Sequence, residues 1–181
     1  MPALALVDRA LLVERARHFF SNRAHGQAPP IFFSAEEWRT VRLLADMIIP
    51  RDDRSGSASD AGVPEFIDFI VNDQARLQQP IRRGLTWLDA RSYVEFGKPF
   101  AEGSEAERMH MLDSIAWPDK ATPALAPGVE FFSRFRDLTA SGFWSSPMGV
   151  ADLQYMGNTV VVQWDGCPSA ALEKLGVRYE N

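Results

Sequence analysis

The residues of this 181-residue chain that are able to do chemistry are few and scattered. The densest group is the stretch Asp52-Asp53-Arg54-Ser55-Gly56-Ser57-Ala58-Ser59-Asp60. Hard cations such as calcium take several oxygen ligands, so carboxylates and hydroxyls in one run invite that chemistry. The ligand order of an EF-hand is absent, however, and Arg54 sets a cation among the would-be ligands. An ordinary solvated turn is the better reading. His18, His25 and His110 lie far apart without HExxH spacing, so a zinc site would need assembly by tertiary contact alone. Cys167 is the single cysteine, which excludes an internal disulfide and a metal site built on several thiolates. Its context, Trp164-Asp165-Gly166-Cys167-Pro168, resembles no cysteine-protease motif, and no GxSxG elbow occurs; a small thiol packed in a turn is the simpler reading. Glu65 and Asp68 stand one helical turn apart and have the spacing to share acid and base work, although such pairs more often mark a solvated helix face.

Cofactor motifs are missing too. Neither GxGxxG nor GxxxxGK[ST] occurs, so no glycine-rich turn presents its amides to a dinucleotide or phosphate. Covalent c-type haem needs CxxCH, which one cysteine cannot supply. No catalytic, cofactor-binding or metal-binding residue is assigned on these grounds. The feature with most physical content is instead a set of aromatic residues: Phe143, Trp144, Tyr155 and Trp164 read as lying in irregular chain rather than on a helical stripe. Four such rings turned outward would expose roughly 600 to 1,000 Å², against roughly 300 to 600 Å² for the largest apolar patch usual on a soluble monomer. Either this tail folds back over the core or it meets a partner, and composition alone leaves both open.

The elements that must position these residues read as helices. A chain of this length supports one well-filled core. An apolar share of 46% and a charged share of 24% are those of a globular protein. The formal charge of -5, with no basic cluster, argues against nucleic-acid binding, and charges break every apolar run before the ~20 residues needed to span a membrane. Leu4, Val7 and Leu11, with Leu12, Ala16 and Phe19 alongside, predict an amphipathic helix, joined by the Gly- and Pro-containing residues 21 to 31 to the remainder. Ser34 with Glu37, and Ser104 with Glu107, have capping-box spacing and predict helix starts; Pro50, Gly97 and Pro118 predict stops. Further helices are predicted from Val63 to about Ile70, from Pro80, over residues 127 to 141, and from Ser169 to Leu175. Thr159 to Trp164 carries three consecutive valines and predicts one short strand. The expected fold is therefore all-α, an irregular body of about five to seven helices with an extended aromatic C-terminal segment. Residues 1–32 are read as an N-terminal helix and linker, and 33–181 as a single helical domain.

Three stretches stand out in the first half of the chain, Phe33-Ser34-Ala35-Glu36-Glu37-Trp38, Leu44-Ala45-Asp46-Met47-Ile48-Ile49-Pro50 and Ala61-Gly62-Val63-Pro64-Glu65-Phe66-Ile67-Asp68. Gly142-Phe143-Trp144, Tyr155-Met156-Gly157-Asn158 and Trp164-Asp165-Gly166-Cys167-Pro168 follow in order. In these motifs, over roughly residues 33 to 177, the chain resembles the gluconate 2-dehydrogenase subunit 3 family. This resemblance implies a non-catalytic small subunit that stabilises and helps mature a larger FAD-containing dehydrogenase of the GMC type, which oxidises a sugar, glycoside or sugar acid, often with a cytochrome c as electron acceptor. It implies no cofactor on this chain and no catalytic residue. The expected partner-facing residues are Phe143, Trp144, Tyr155, Asn158, Trp164, Cys167 and Pro168. Two alternatives stay open beside it: a transient maturation chaperone for that flavoprotein, and a stand-alone enzyme using Cys167 or scattered carboxylates. Many relatives begin with a twin-arginine export signal, whereas the first twenty residues here have no adjacent arginines and no long apolar run. The start of the chain thus points to the cytoplasm and the resemblance to the periplasm.

Overall fold

The computed structural model describes residues 6–22, 29–155, 162–163 and 166–178. Among them are eight α-helices: α1 (Leu6–Asn22), α2 (Ala35–Ile48), α3 (Val63–Asp73), α4 (Ala75–Phe96), α5 (Glu105–Ala116), α6 (Ala126–Ser145), α7 (Pro147–Asp152) and α8 (Ser169–Leu175). Single 3-10 turns occupy Phe100–Glu102 and Pro123–Leu125. The all-α architecture is as expected, with no strand among the described residues. Of the stretch read as a strand, only 162 and 163 are described, and they form a bend.

Local chemistry accounts for the starts. The Ser34 hydroxyl accepts the Glu37 N–H at 3.2 Å while the Glu37 carboxylate accepts the Ser34 N–H at 2.9 Å. Ser104 and Glu107 repeat that exchange at 3.3 and 2.6 Å. Each box satisfies two backbone donors that a helix start leaves free. Glu107 also takes an ion pair from Lys98 at 2.9 Å. That pair first, and then the Ser104 N–H and hydroxyl, lower the Glu107 carboxyl from its ordinary 4.5 to about 2. Because the folded value is depressed, whatever stability this group contributes is present above pH 4.5 and is lost as pH falls toward 2.

Packing overrides two sequence punctuators. Pro80 lies inside α4 rather than opening it. Proline there removes one backbone hydrogen bond, but Leu77, Ile81, Leu85 and Leu88 are all buried on one side, and keeping that face continuous outweighs the lost bond. Gly142 likewise fails to end α6, which runs on to Ser145. A Cβ at Gly142 would stand 2.7 Å from the Phe66 ring and 3.2 Å from Val63, so the missing side chain lets α6 press onto α3.

Helix α6 is the centre of the molecule and packs against α1, α2, α3, α4, α5 and α7. Its buried face is Phe131, Phe132, Phe135, Leu138, Thr139, Gly142 and Phe143. Two reciprocal seats fix α4 on it. The Phe131 ring occupies the place of a side chain at Gly84, and Trp87 occupies that place at Gly128. Helix α1 docks on α6 and α3; Leu12 and Ala16 join the common core, and Phe19 and Phe20 set their rings against Phe66 at 6.0 and 6.1 Å.

Candidate functional site

Two clusters of charged and polar groups hold the frame. Asp68, on α3, is buried and its carboxylate accepts three backbone N–H groups: Ile31 at 2.7 Å, Phe32 at 2.9 Å and Phe33 at 3.2 Å. The reading of Glu65 and Asp68 as a solvated pair is thereby corrected. Asp68 is a structural anchor whose partners lie more than thirty residues earlier in the chain. The same segment is gripped from α4, where the Arg82 guanidinium donates to the Phe32 carbonyl at 3.0 Å and covers the Phe32 ring at 4.2 Å.

The second cluster is the acidic stretch, in which Asp52 and Asp60 are engaged by the chain itself. Asp52 accepts the Arg54 and Ser55 N–H groups at 2.9 and 2.8 Å, a closed polar turn. Its carboxyl is held below the ordinary carboxylate value, chiefly by the Ser55 N–H and next by that of Arg54. Asp60 takes the Ser57 N–H at 2.8 Å and Arg51 at 2.7 Å, and is lowered chiefly by the Ser57 contact. Asp46 accepts the Ser59 N–H at 2.7 Å. Among the described residues no three His, Cys, Asp or Glu side chains gather as a metal site, and no helix is long and apolar enough to cross a membrane.

Residues 144–155 carry four exposed large apolar side chains, Trp144, Val150, Leu153 and Tyr155. Phe143 and Trp144 are not in irregular chain; they form the last turn of α6, with rings meeting edge-on at 5.0 Å. Phe143 points inward, 1% exposed, and so fills the core instead of facing outward. Trp144 is 40% exposed. Ser146 then turns the chain. Its buried hydroxyl donates to the Phe143 carbonyl at 2.7 Å and accepts the Gly149 N–H at 3.1 Å, closing α6 and capping α7 with one oxygen. A Cβ at Gly149 would lie 2.0 Å from the Phe143 carbonyl oxygen, so α7 rests directly on the α6 backbone.

Helix α7 was not expected from the sequence, being only six residues long. It ends in a Schellman arrangement: Gln154 adopts φ 53, its N–H bonds the Ala151 carbonyl at 3.0 Å, and the Tyr155 N–H bonds the Val150 carbonyl at 3.2 Å. Val150, Leu153 and Tyr155 are left exposed, the last two at 55% each. Cys167 and Pro168 are exposed as well, immediately before α8, which buries none of its residues. Asn158 and Trp164 lie outside the described residues. Of the expected partner-facing set, then, Trp144, Tyr155, Cys167 and Pro168 are exposed, and Val150 and Leu153, which the sequence did not single out, are exposed as well. Their only sequence signal was the Ser146-Pro147 pair that starts α7.

No match to this chain was found among curated proteins or among solved structures. A family model described as gluconate 2-dehydrogenase subunit 3 matches residues 35–166, which takes in everything from α2 through α7. That span is well over half of the sequence, and the chain belongs to the gluconate 2-dehydrogenase subunit 3 family, whose name makes it part of an oxidoreductase complex.

Proposed function

We propose that this chain is a non-catalytic small subunit that binds, stabilises and helps mature a larger FAD-dependent dehydrogenase of the GMC type. The larger subunit carries the flavin and oxidises a sugar, glycoside or sugar acid, with a cytochrome c as electron acceptor. The observation that carries this reading is the exposed apolar surface of Trp144, Val150, Leu153 and Tyr155. At their observed exposures these four side chains, close together in sequence at the end of α6 and along α7, leave on the order of 400 Å² of mostly apolar area in all. Half-exposed Trp and Tyr on a rigid support are the residue types that dominate binding energy at interfaces. Family membership supplies the class of occupant, another subunit of the dehydrogenase.

Trp144→Ala and Tyr155→Ala are therefore expected to weaken association with the dehydrogenase subunit by about 2 kcal/mol each, roughly thirtyfold in Kd. Unfolding of the isolated chain should change by less than about 1 kcal/mol for Tyr155→Ala, whose residue is more than half exposed, and by somewhat more for Trp144→Ala, whose ring meets Phe143 edge-on. Calorimetric titration beside urea unfolding separates the two. Equal losses in both would make these rings core packing and remove the basis of the reading.

A further inference from the structure

Arg54 reaches from the turn at 52–55 to the end of α7, 98 residues later, where one guanidinium nitrogen lies 2.6 Å from the Asp152 carbonyl and 3.0 Å from its carboxylate. A cation at a helix C-terminus meets both the unpaired carbonyls and the negative end of the dipole. Beside it, Gly56 leaves room for the Met148 methyl, since a Cβ there would sit 3.1 Å from that carbon. Met148 and Asp152 are one turn apart on α7 and face this loop, while Val150 and Leu153 are exposed. The next residue, Gln154, holds a left-handed conformation that residues other than glycine or asparagine rarely adopt, so the turn closed by its own two backbone hydrogen bonds carries strain.

We infer that Arg54 is a positioning residue for the docking surface, a latch that holds α7 and the Leu153–Tyr155 turn in the shape the dehydrogenase subunit binds. The inference rests on the proposed accessory role and adds the group that pre-orders its surface. A pre-set surface loses less freedom on binding; releasing two or three side chains from order costs about tenfold in affinity.

The test uses the full-length chain as wild type, Arg54→Ala and Arg54→Lys, with the purified dehydrogenase subunit as probe. In the isolated chain, amide exchange over 150–155 should quicken at least about tenfold in Arg54→Ala, and the melting temperature should move by less than about 4 °C, as for an exposed ion pair. Affinity should drop about tenfold, and Arg54→Lys, which keeps a single charged donor on a shorter side chain, should fall between. Unchanged exchange, or faster exchange with unchanged affinity, overturns the latch and leaves the accessory role standing. A wild-type chain that does not bind the subunit at all overturns both.

Discussion

Asp68→Ala is expected to lower the unfolding free energy by about 3 kcal/mol, the largest effect of any single polar substitution in this chain. The carboxylate is buried and accepts from three successive backbone N–H groups, Ile31 through Phe33. Charge-assisted bonds of this kind contribute about 1.5 to 3 kcal/mol, and a stranded buried donor costs about 1 to 3 kcal/mol. The three donors do not count equally: Phe33 is buried and its N–H would be stranded, whereas Ile31 is 74% exposed and water can replace its partner. Asp68→Asn keeps one carbonyl oxygen for Phe32 and Phe33 but turns an amide toward the Ile31 N–H, so its loss should be intermediate. Urea unfolding with unchanged slope reads the series directly. An alanine variant within about 0.5 kcal/mol of wild type would mean that the 31–33 segment is held by Arg82 and ring packing alone.

The second large effect has a sign opposite to helix propensity. Alanine for glycine inside an exposed helix normally stabilises by up to about 1 kcal/mol. At Gly84 the added carbon would lie 1.9, 2.2 and 2.7 Å from Cδ2, Cγ and Cβ of Phe131. The Phe131 Cβ cannot swing away, so α4 and α6 must separate, and overpacking of that kind costs about 1 to 3 kcal/mol or more. Gly84→Ala should therefore destabilise by about 2 kcal/mol net. Gly128→Ala should cost less, because it meets the outer edge of the Trp87 ring, which is only partly buried. Melting temperatures of the two variants check the order, and stabilisation by Gly84→Ala would refute the reciprocal seating.

These two residues also mark where sequence reading stops. Capping boxes at Ser34 and Ser104, the stop at Gly97 and the span of α8 are local events, settled by a few neighbouring residues, and were legible. Nothing near Gly84 in sequence marks its role, because the ring that fills its place arrives from α6, more than forty residues on. Asp68 read as surface because nothing near it in sequence shows that residues 31–33 fold back onto it. Pro80 read as a helix start because one residue, Gln74, ends α3 and begins α4 without a glycine or proline to announce the turn. Of the rings that the sequence singled out near the carboxyl end, Trp144 and Tyr155 are exposed. The sequence mistook the support: Phe143 lies inward, and α7 is too short to show a period. Arg54 was noticed only as a poor neighbour for a cation, since its true partner Asp152 is distant in sequence.

In the proposed role this chain completes a dehydrogenase without doing its chemistry. Purifying the full-length protein under mild conditions from cells that make it, then weighing the intact assembly and assigning its flavin, tests that most directly. The expected result is a lasting assembly with a heavier polypeptide that holds FAD and reduces an acceptor at the expense of a sugar, while the separated small chain carries neither flavin nor turnover. A lone, flavin-free monomer, or sugar oxidation by the separated chain, would contradict it.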